Sequence, residues 1–286
     1  MIKKFAVFVY KLLSLLDKII NILFKKNVII HIADCIHENS YKKLKILNRD
    51  INFFVPNSIC MWRVNSFFKK EPETLQWINE FSNNEKTIFW DIGSNIGLYS
   101  IYNAIKNPLS LTVSFEPSTS NLRVLSRNIS INNLGDRIKL FTNPISNHEN
   151  KFLMMNEYNF NEGVAMNTFG ENFDFEGKKF NPRMKYQLLG TSLNYLISNK
   201  ILEKPNYVKI DVDGIEHLIL KGGDIILKNS STKSFLIEIN ENFEEQYNSI
   251  IEIMTQNNFS IKSKHKAYNA HRNKKFSNTY NYIFIK

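Results

Sequence analysis

The sequence predicts an α/β fold: a mostly parallel sheet with helices packed on it, preceded by an amphipathic helical extension. Three observations carry this. From residue 87 onward, short bounded apolar runs alternate with helix-length amphipathic segments. A glycine-framed turn, Asp91-Ile92-Gly93-Ser94-Asn95-Ile96-Gly97, joins one such run to the helix after it. Residues 1–26 carry lysines at 4, 11, 18 and 25, one heptad apart, across from an apolar side.

In that extension Ser14 and Asn21 join the lysine side, and Phe5, Val9, Leu12, Leu16, Ile19 and Leu23 cover the other. Lys11, Asp17 and Lys18 interrupt the apolar run and no small-residue cleavage site follows, so neither a signal peptide nor a membrane-spanning helix is expected. Two readings stand level: a helix lying on an anionic membrane surface, or one packed on its own domain or on a second subunit. Residues 27–52 carry no motif. The expected division is therefore an extension, 1–52, and a main domain, 53–286.

Within the main domain, Pro and acids open a helix at 74–81. Strands are expected at 87–90, 111–115 and 138–142, with helices at 98–106 and 118–132 between them. Residues 151–190 break the rhythm with many Asn, Phe and Met, bracketed by strands at 151–155 and 185–189. A long irregular insertion in a compact domain is functional or disordered. Alternation resumes with a helix at 192–198, a strand at 207–211, a helix at 215–220, a strand at 235–239 and a helix at 244–257. Strands at 259–263 and 280–285 close the chain.

Composition narrows the class. Of 286 residues 43% are hydrophobic and 22% charged, which excludes a disordered chain. Lys and Arg number 37 against 27 Asp and Glu, a net charge of +10, which points toward acidic partners such as phosphorylated sugars, anionic lipid or nucleic acid. Cys35 and Cys60 are too few for a disulfide scaffold and fit a reducing compartment, so a cytoplasmic location is expected, with a peripheral contact of residues 1–26 to the inner face of the membrane under the first of the two readings above.

The turn at 91–97 holds the chemistry. Gly93 lets the backbone turn and lets a ligand lie against it; Gly97 lets the helix start close to the sheet. A dinucleotide site would need a third glycine where Asn95 stands, and the acid Asp91 would repel a pyrophosphate. A cationic ligand without phosphate suits it better, and S-adenosylmethionine (SAM) is one. Glu116, at the end of the next strand, sits near the spacing at which an acid meets ribose hydroxyls.

These residues resemble the FkbM family of SAM-dependent methyltransferases. The resemblance runs from about residue 53 to the end. It rests on Glu71-Pro72-Glu73-Thr74-Leu75-Gln76-Trp77, the turn 91–97 with Tyr99-Ser100, Phe115-Glu116-Pro117, Thr191-Ser192-Leu193-Asn194-Tyr195-Leu196, and Val208-Lys209-Ile210-Asp211-Val212-Asp213-Gly214-Ile215-Glu216. Ser94, Asp213 and Asn194 depart from the family's usual Ala, Glu and Asp. The resemblance implies a Rossmann-like class I methyltransferase fold, a seven-stranded mostly parallel sheet with helices on both faces and the last strand reversed. It implies O-methyl transfer, often onto sugars. By the same analogy Asp91, Gly93, Ser94, Asn95 and Gly97 hold the methionine end of SAM, Glu116 and Pro117 the ribose side, and Asn143 to Ser146, with Ile145, border the adenine. A lipid-linked or polyketide-type hydroxyl is the alternative acceptor. A binding protein that kept the fold without turnover is the competing class.

Asp211 and Asp213 end a strand that should be central and apolar, where a carboxylate needs a partner or a purpose. Either could take the proton of an acceptor hydroxyl. Against this, Lys209 and Asp211 make a plain ion pair and Asp213 caps the next helix. His217 reads as an ordinary helical histidine. Glu238 and Asn240 beside Asp211 admit a divalent metal, to which no ligand set is assigned. The segment 162–170 is expected to form a lid over a carbohydrate acceptor, acidic or phosphorylated in keeping with the charge. The run Lys262, Lys264, His265, Lys266, His271, Arg272, Lys274 and Lys275 reads as a solvated hairpin or as a means of drawing in an acidic glycan. No nucleic-acid partner is expected, because the strand at 207–211 ends in carboxylates rather than the aromatic and amide groups that hold a flipped base.

Overall fold

The computed structural model describes residues 1–267 and 276–286. The chain divides into two units, 1–41 and 42–286. The first holds helices α1 (Ile2–Phe24) and α2 (Ile29–Glu38). A hairpin follows, β1 (Tyr41–Ile46) and β2 (Arg49–Phe54), then α3 (Ser58–Lys70) and α4 (Pro72–Asn79). The alternating part runs β3 (Thr87–Ile92), α5 (Leu98–Lys106), β4 (Ser110–Phe115), α6 (Thr119–Ile131) and β5 (Ile138–Phe141). The insertion contributes β6 (Lys151–Glu157), β7 (Thr168–Phe169) and β8 (Met184–Gly190). Then come α7 (Leu193–Ser198), β9 (Tyr207–Ile210), α8 (Glu216–Lys221), α9 (Asp224–Leu227), β10 (Ser234–Asn240) and α10 (Glu244–Gln256). β11 (Ser260–Lys266) and β12 (Thr279–Ile285) end the chain.

Seven strands form the central sheet in the order β11-β12-β10-β9-β3-β4-β5. Those from β10 to β5 are parallel, and β12 runs antiparallel between β10 and β11. The expected reversed last strand is thus present. Side chains alternate across the sheet: Phe89 joins one core with residues of α3 to α6, whereas Ile88, Trp90 and Ile92 join the other with residues of α7 to α10. β3 is buried at all six positions, as a central parallel strand covered on both faces must be.

The unit boundary falls after residue 41 rather than after residue 52. The reason is the hairpin, which belongs largely to the sheet unit. Phe54 N and Asn52 N donate to the side-chain oxygens of Asn128 on α6 (2.7 Å) and of Asn132 at its C-terminal cap (3.0 Å), and Asn132 returns a bond to Asn52 O (2.7 Å). The insertion also differs from an irregular loop: β7, β6 and β8 form a three-stranded sheet of their own.

Candidate active site

One cavity of about 200 Å³ lies along the C-terminal ends of the parallel strands. Its wall takes Glu238 from β10, Asp211 and Asp213 after β9, Ile92 and Gly93 at the end of β3, Phe115 to Pro117 at the end of β4, and Pro144 and Ile145 after β5. The order of the sheet reverses direction between β3 and β9, so the cavity occupies the crevice where open α/β sheets bind ligands.

The structure brings Gly93, Asn95, Glu116, Pro117, Ile145, Asp211 and Asp213 together on this wall. It leaves Asp91, Ser94, Gly97 and Asn143 off it. Asp91 alternates away from the cavity, beneath the turn, where it faces Lys209 in register across β3 and β9. It is fully buried and accepts from Ser100 Oγ at 2.5 Å. Ser94 Oγ donates to Phe115 O (3.2 Å) and Asn143 Nδ2 to Leu189 O (2.9 Å), so both side chains serve the backbone.

The two glycines of the turn are required by packing. Both have positive φ, 86° and 87°. A Cβ on Gly93 would stand 1.9 Å from Asp211 O, and one on Gly97 2.4 Å from Leu125 Cδ1. Gly93 therefore admits the neighbouring strand rather than only a ligand, and Gly97 lets α5 meet α6.

Glu116 is held by backbone donors: Asn95 N (2.8 Å) to one oxygen and Ser118 N (2.9 Å) to the other. Burial overcomes these bonds and pushes its carboxyl up to about 8. On the other side of β3, Lys209 is 1% exposed in mid-sheet, and its Nζ stands 2.6 Å from Asp211 Oδ2. Burial opposes its charge, but Asp211, Glu71 and Asp91 together raise its pKa. Burial likewise opposes the charge on Glu71, and Lys70 and Lys209 bring it down to about 2. The ion pair open in the sequence is thus formed, within a larger buried cluster.

Asp213 is not a helix cap. It sits at φ 62° and accepts from Met166 N at 2.7 Å. Glu216 on α8 serves the loop instead, accepting from Val212 N (2.9 Å) and Gly214 N (3.1 Å). Burial and the neighbouring Asp211 push Asp213 up to about 6. Glu238 is raised well above the ordinary carboxylate range by burial and by Asp211 and Asp213.

His217 packs between Phe173 and Phe243, off the cavity wall; burial lowers it to about 4. Asn240 is consumed by Phe175 O and Asn242 N. Among the described residues, no group of three or more His, Cys, Asp and Glu could hold a metal ion.

The rest of the wall comes from two places. Val164 to Phe169 belong to the segment 162–170 expected to lie over the acceptor, whereas Trp62, Arg63 and Lys70 of α3 were not singled out from the sequence. The Asn57 cap, whose side chain accepts from Ile59 N and Cys60 N, was the available signal for α3. The insertion is pinned from below. Val164 O accepts from Asn95 Nδ2 (3.0 Å) and Asn121 Nδ2 (3.1 Å), and Gly163 O from Arg63 Nε (2.5 Å). Of the C-terminal basic run, Lys262 pairs with Glu80 and Lys264 with Glu241, each at 2.5 Å. His271, Arg272, Lys274 and Lys275 lie outside the described residues.

The methyltransferase FkbM domain matches residues 91–261, more than half the chain, from the end of β3 through β10. The chain belongs to the FkbM methyltransferase family. Like the family, it is a SAM-dependent methyltransferase. The chain is similar to several solved structures. A candidate SAM-dependent methyltransferase from Streptococcus mutans is 10% identical, with 87% of this chain and 56% of that one covered, at a TM-score of 0.50. Precorrin-6Y C5,15-methyltransferase from Geobacter metallireducens is 12% identical over 76% and 86% of the two chains, TM-score 0.43. The M. capricolum TrmK protein, solved with S-adenosyl-homocysteine, is 15% identical over 74% and 66%, TM-score 0.42. No curated protein sequence matches significantly.

The residues present fit the cofactor. Glu116 is a buried carboxylate on the cavity wall, with one backbone N–H on each oxygen and acceptor capacity beyond them. That suits the hydroxyls of a ribose.

Proposed function

We propose that this FkbM enzyme transfers a methyl group to a hydroxyl of a carbohydrate. The observation that carries this is the gathering of Asp211, Asp213 and Glu238 at the β9–β10 side of the cavity, with Trp62, Asn167 and Phe276 in the same wall. Rings stack on the C–H faces of a sugar while carboxylates and amides take its hydroxyls. Arg63, in the same wall, suits an acceptor bearing a carboxylate or phosphate.

When bound, SAM supplies an electrophilic methyl on a sulfonium. Glu116 would accept from the ribose hydroxyls with Pro117 beside it, Gly93 and Asn95 would border the amino-acid end, and Ile145 would flank the base. Asp91, Ser94, Gly97 and Asn143 support these residues from behind. Asp213 would take the proton of the acceptor hydroxyl; the cofactor, when held, would supply the methyl and leave as the neutral thioether. Raised to about 6, its carboxyl lies close enough to neutrality to accept a proton and release it again. Asp211, fixed by Lys209, orients the hydroxyl. Met166 N–H fixes Asp213, which ties the base to the insertion, and segment 164–169 acts as the acceptor lid. Much of the remaining barrier would fall through holding acceptor and cofactor in place together.

The test is transfer of label from methyl-labelled SAM to a panel of sugars, nucleotide sugars, lipid extract and RNA. Label in the sugars supports the proposal. Label confined to lipid without a sugar headgroup, or to RNA, overturns it.

A further inference from the structure

The N-terminal unit carries a surface that methyl transfer does not use. No residue of α1 is buried. Phe5, Leu12, Leu16, Ile19 and Leu23, which the helical repeat places on one side, are 46 to 66% exposed. Lys4, Lys11, Lys18 and Lys25 follow each other at heptad spacing on the other side, with Lys3 and Lys26 near the two ends. The one acid of residues 1–26, Asp17, is engaged by the start of α2. Its Oδ1 accepts from Val28 N (2.5 Å) and Ile29 N (2.9 Å). Its charge is thus committed to the backbone of the helical turn. α2 adds Ile30 and Ile36, 55 and 63% exposed. No helix among the described residues is long and apolar enough to cross a membrane.

A second copy packed on the apolar side would leave the lysines of the other side unused. An anionic bilayer satisfies both, because an apolar side enters the acyl boundary while lysine stems reach back to the headgroups. We propose that residues 1–38 dock this enzyme on an anionic lipid surface, with α1 lying in the plane of the interface.

The full chain is sedimented with vesicles of phosphatidylcholine alone and of phosphatidylcholine and phosphatidylglycerol in equal parts. The expected result is binding to the anionic vesicles only, weakened as salt is raised. The double substitution Leu12→Glu/Ile19→Glu lowers the bound fraction about tenfold or more. Lys11→Gln/Lys18→Gln lowers it less, and both variants keep the wild-type affinity for SAM by calorimetry. Three results would overturn the proposal: equal binding to both vesicle types, an unaltered double variant, or a dimer by light scattering that the glutamates dissociate while vesicles go unbound.

Discussion

Two strand ends flank β3, and each presents a carboxylate to the same cavity, Glu116 buried and Asp211 half-buried, but the two are held differently. Glu116, after β4, rests on the N–H dipoles of Asn95 and Ser118. Asp211, after β9, rests on a full cation, Lys209, buried in the sheet behind it. Residue type and place in the sheet are nearly the same. What lies behind each group sets its work. A carboxyl supported by dipoles alone is pushed toward its neutral form and regains charge only when donors arrive, as on a ligand. A carboxylate paired to a lysine is fixed in direction, and its negative field raises the neighbouring Asp213 toward neutrality.

The largest expected effect is on turnover. Asp213→Asn lowers kcat by about 10²- to 10⁴-fold, the range of a lost general base, while SAM affinity by calorimetry stays at the wild-type value. Because the deprotonated form is the base, wild-type kcat rises with pH through about 6, and the variant lacks that limb. An undiminished kcat would remove Asp213 from the chemistry and leave the comparison without its catalytic half.

Lys209→Met comes next. It strands Asp91 and Asp211 in the sheet and costs about 3–5 kcal/mol of stability, read from denaturant unfolding. A neutral outcome would mean that the β9 side does not depend on its cation.

Glu116→Gln lowers SAM affinity by about 10- to 100-fold, the worth of a hydrogen bond to a charged acceptor. Burial holds this carboxyl up to about 8, so the free enzyme carries a proton there at neutral pH. Binding by the carboxylate form then releases a proton, and wild-type affinity climbs as pH approaches about 8. Calorimetry in buffers of differing ionisation heat measures the release, which the variant lacks.

The smallest effect is on alkaline stability. The folded pKa of Glu116 lies above its ordinary 4.5, so its contribution is fully present below that value and is lost as pH rises through about 8. Glu116→Gln therefore unfolds less readily than wild type at alkaline pH, in a melt against pH.

Much of the sheet was legible because period-two apolar runs and bounding turns are local signals. The strands at 87, 111, 138, 207 and 235 fall within one or two residues of those expected. The hairpin β1–β2 was not legible, since its turn uses Leu47 and Asn48 at positive φ (46° and 65°) with no glycine to mark it. At the site, Glu116 and Asp211 stood out by strand position. The insertion segment around Val164 to Phe169 stood out by its break in rhythm. Arg63 and Trp62 did not, because they reach the cavity by contacts that span long stretches of chain.

The sequence by itself determined the alternating architecture, the acid-flanked glycine turn, the basic amphipathic extension and the family. Each of these is written in neighbouring residues. Only the tertiary structure decided that Asp91 lies beneath the turn, that Gly93 yields space to the carbonyl of Asp211, and that Asp213 answers to the insertion rather than to α8. The physical reason is that burial and partnership across strands, which set where a carboxylate points and whether it holds its proton, exist only once distant segments are packed together.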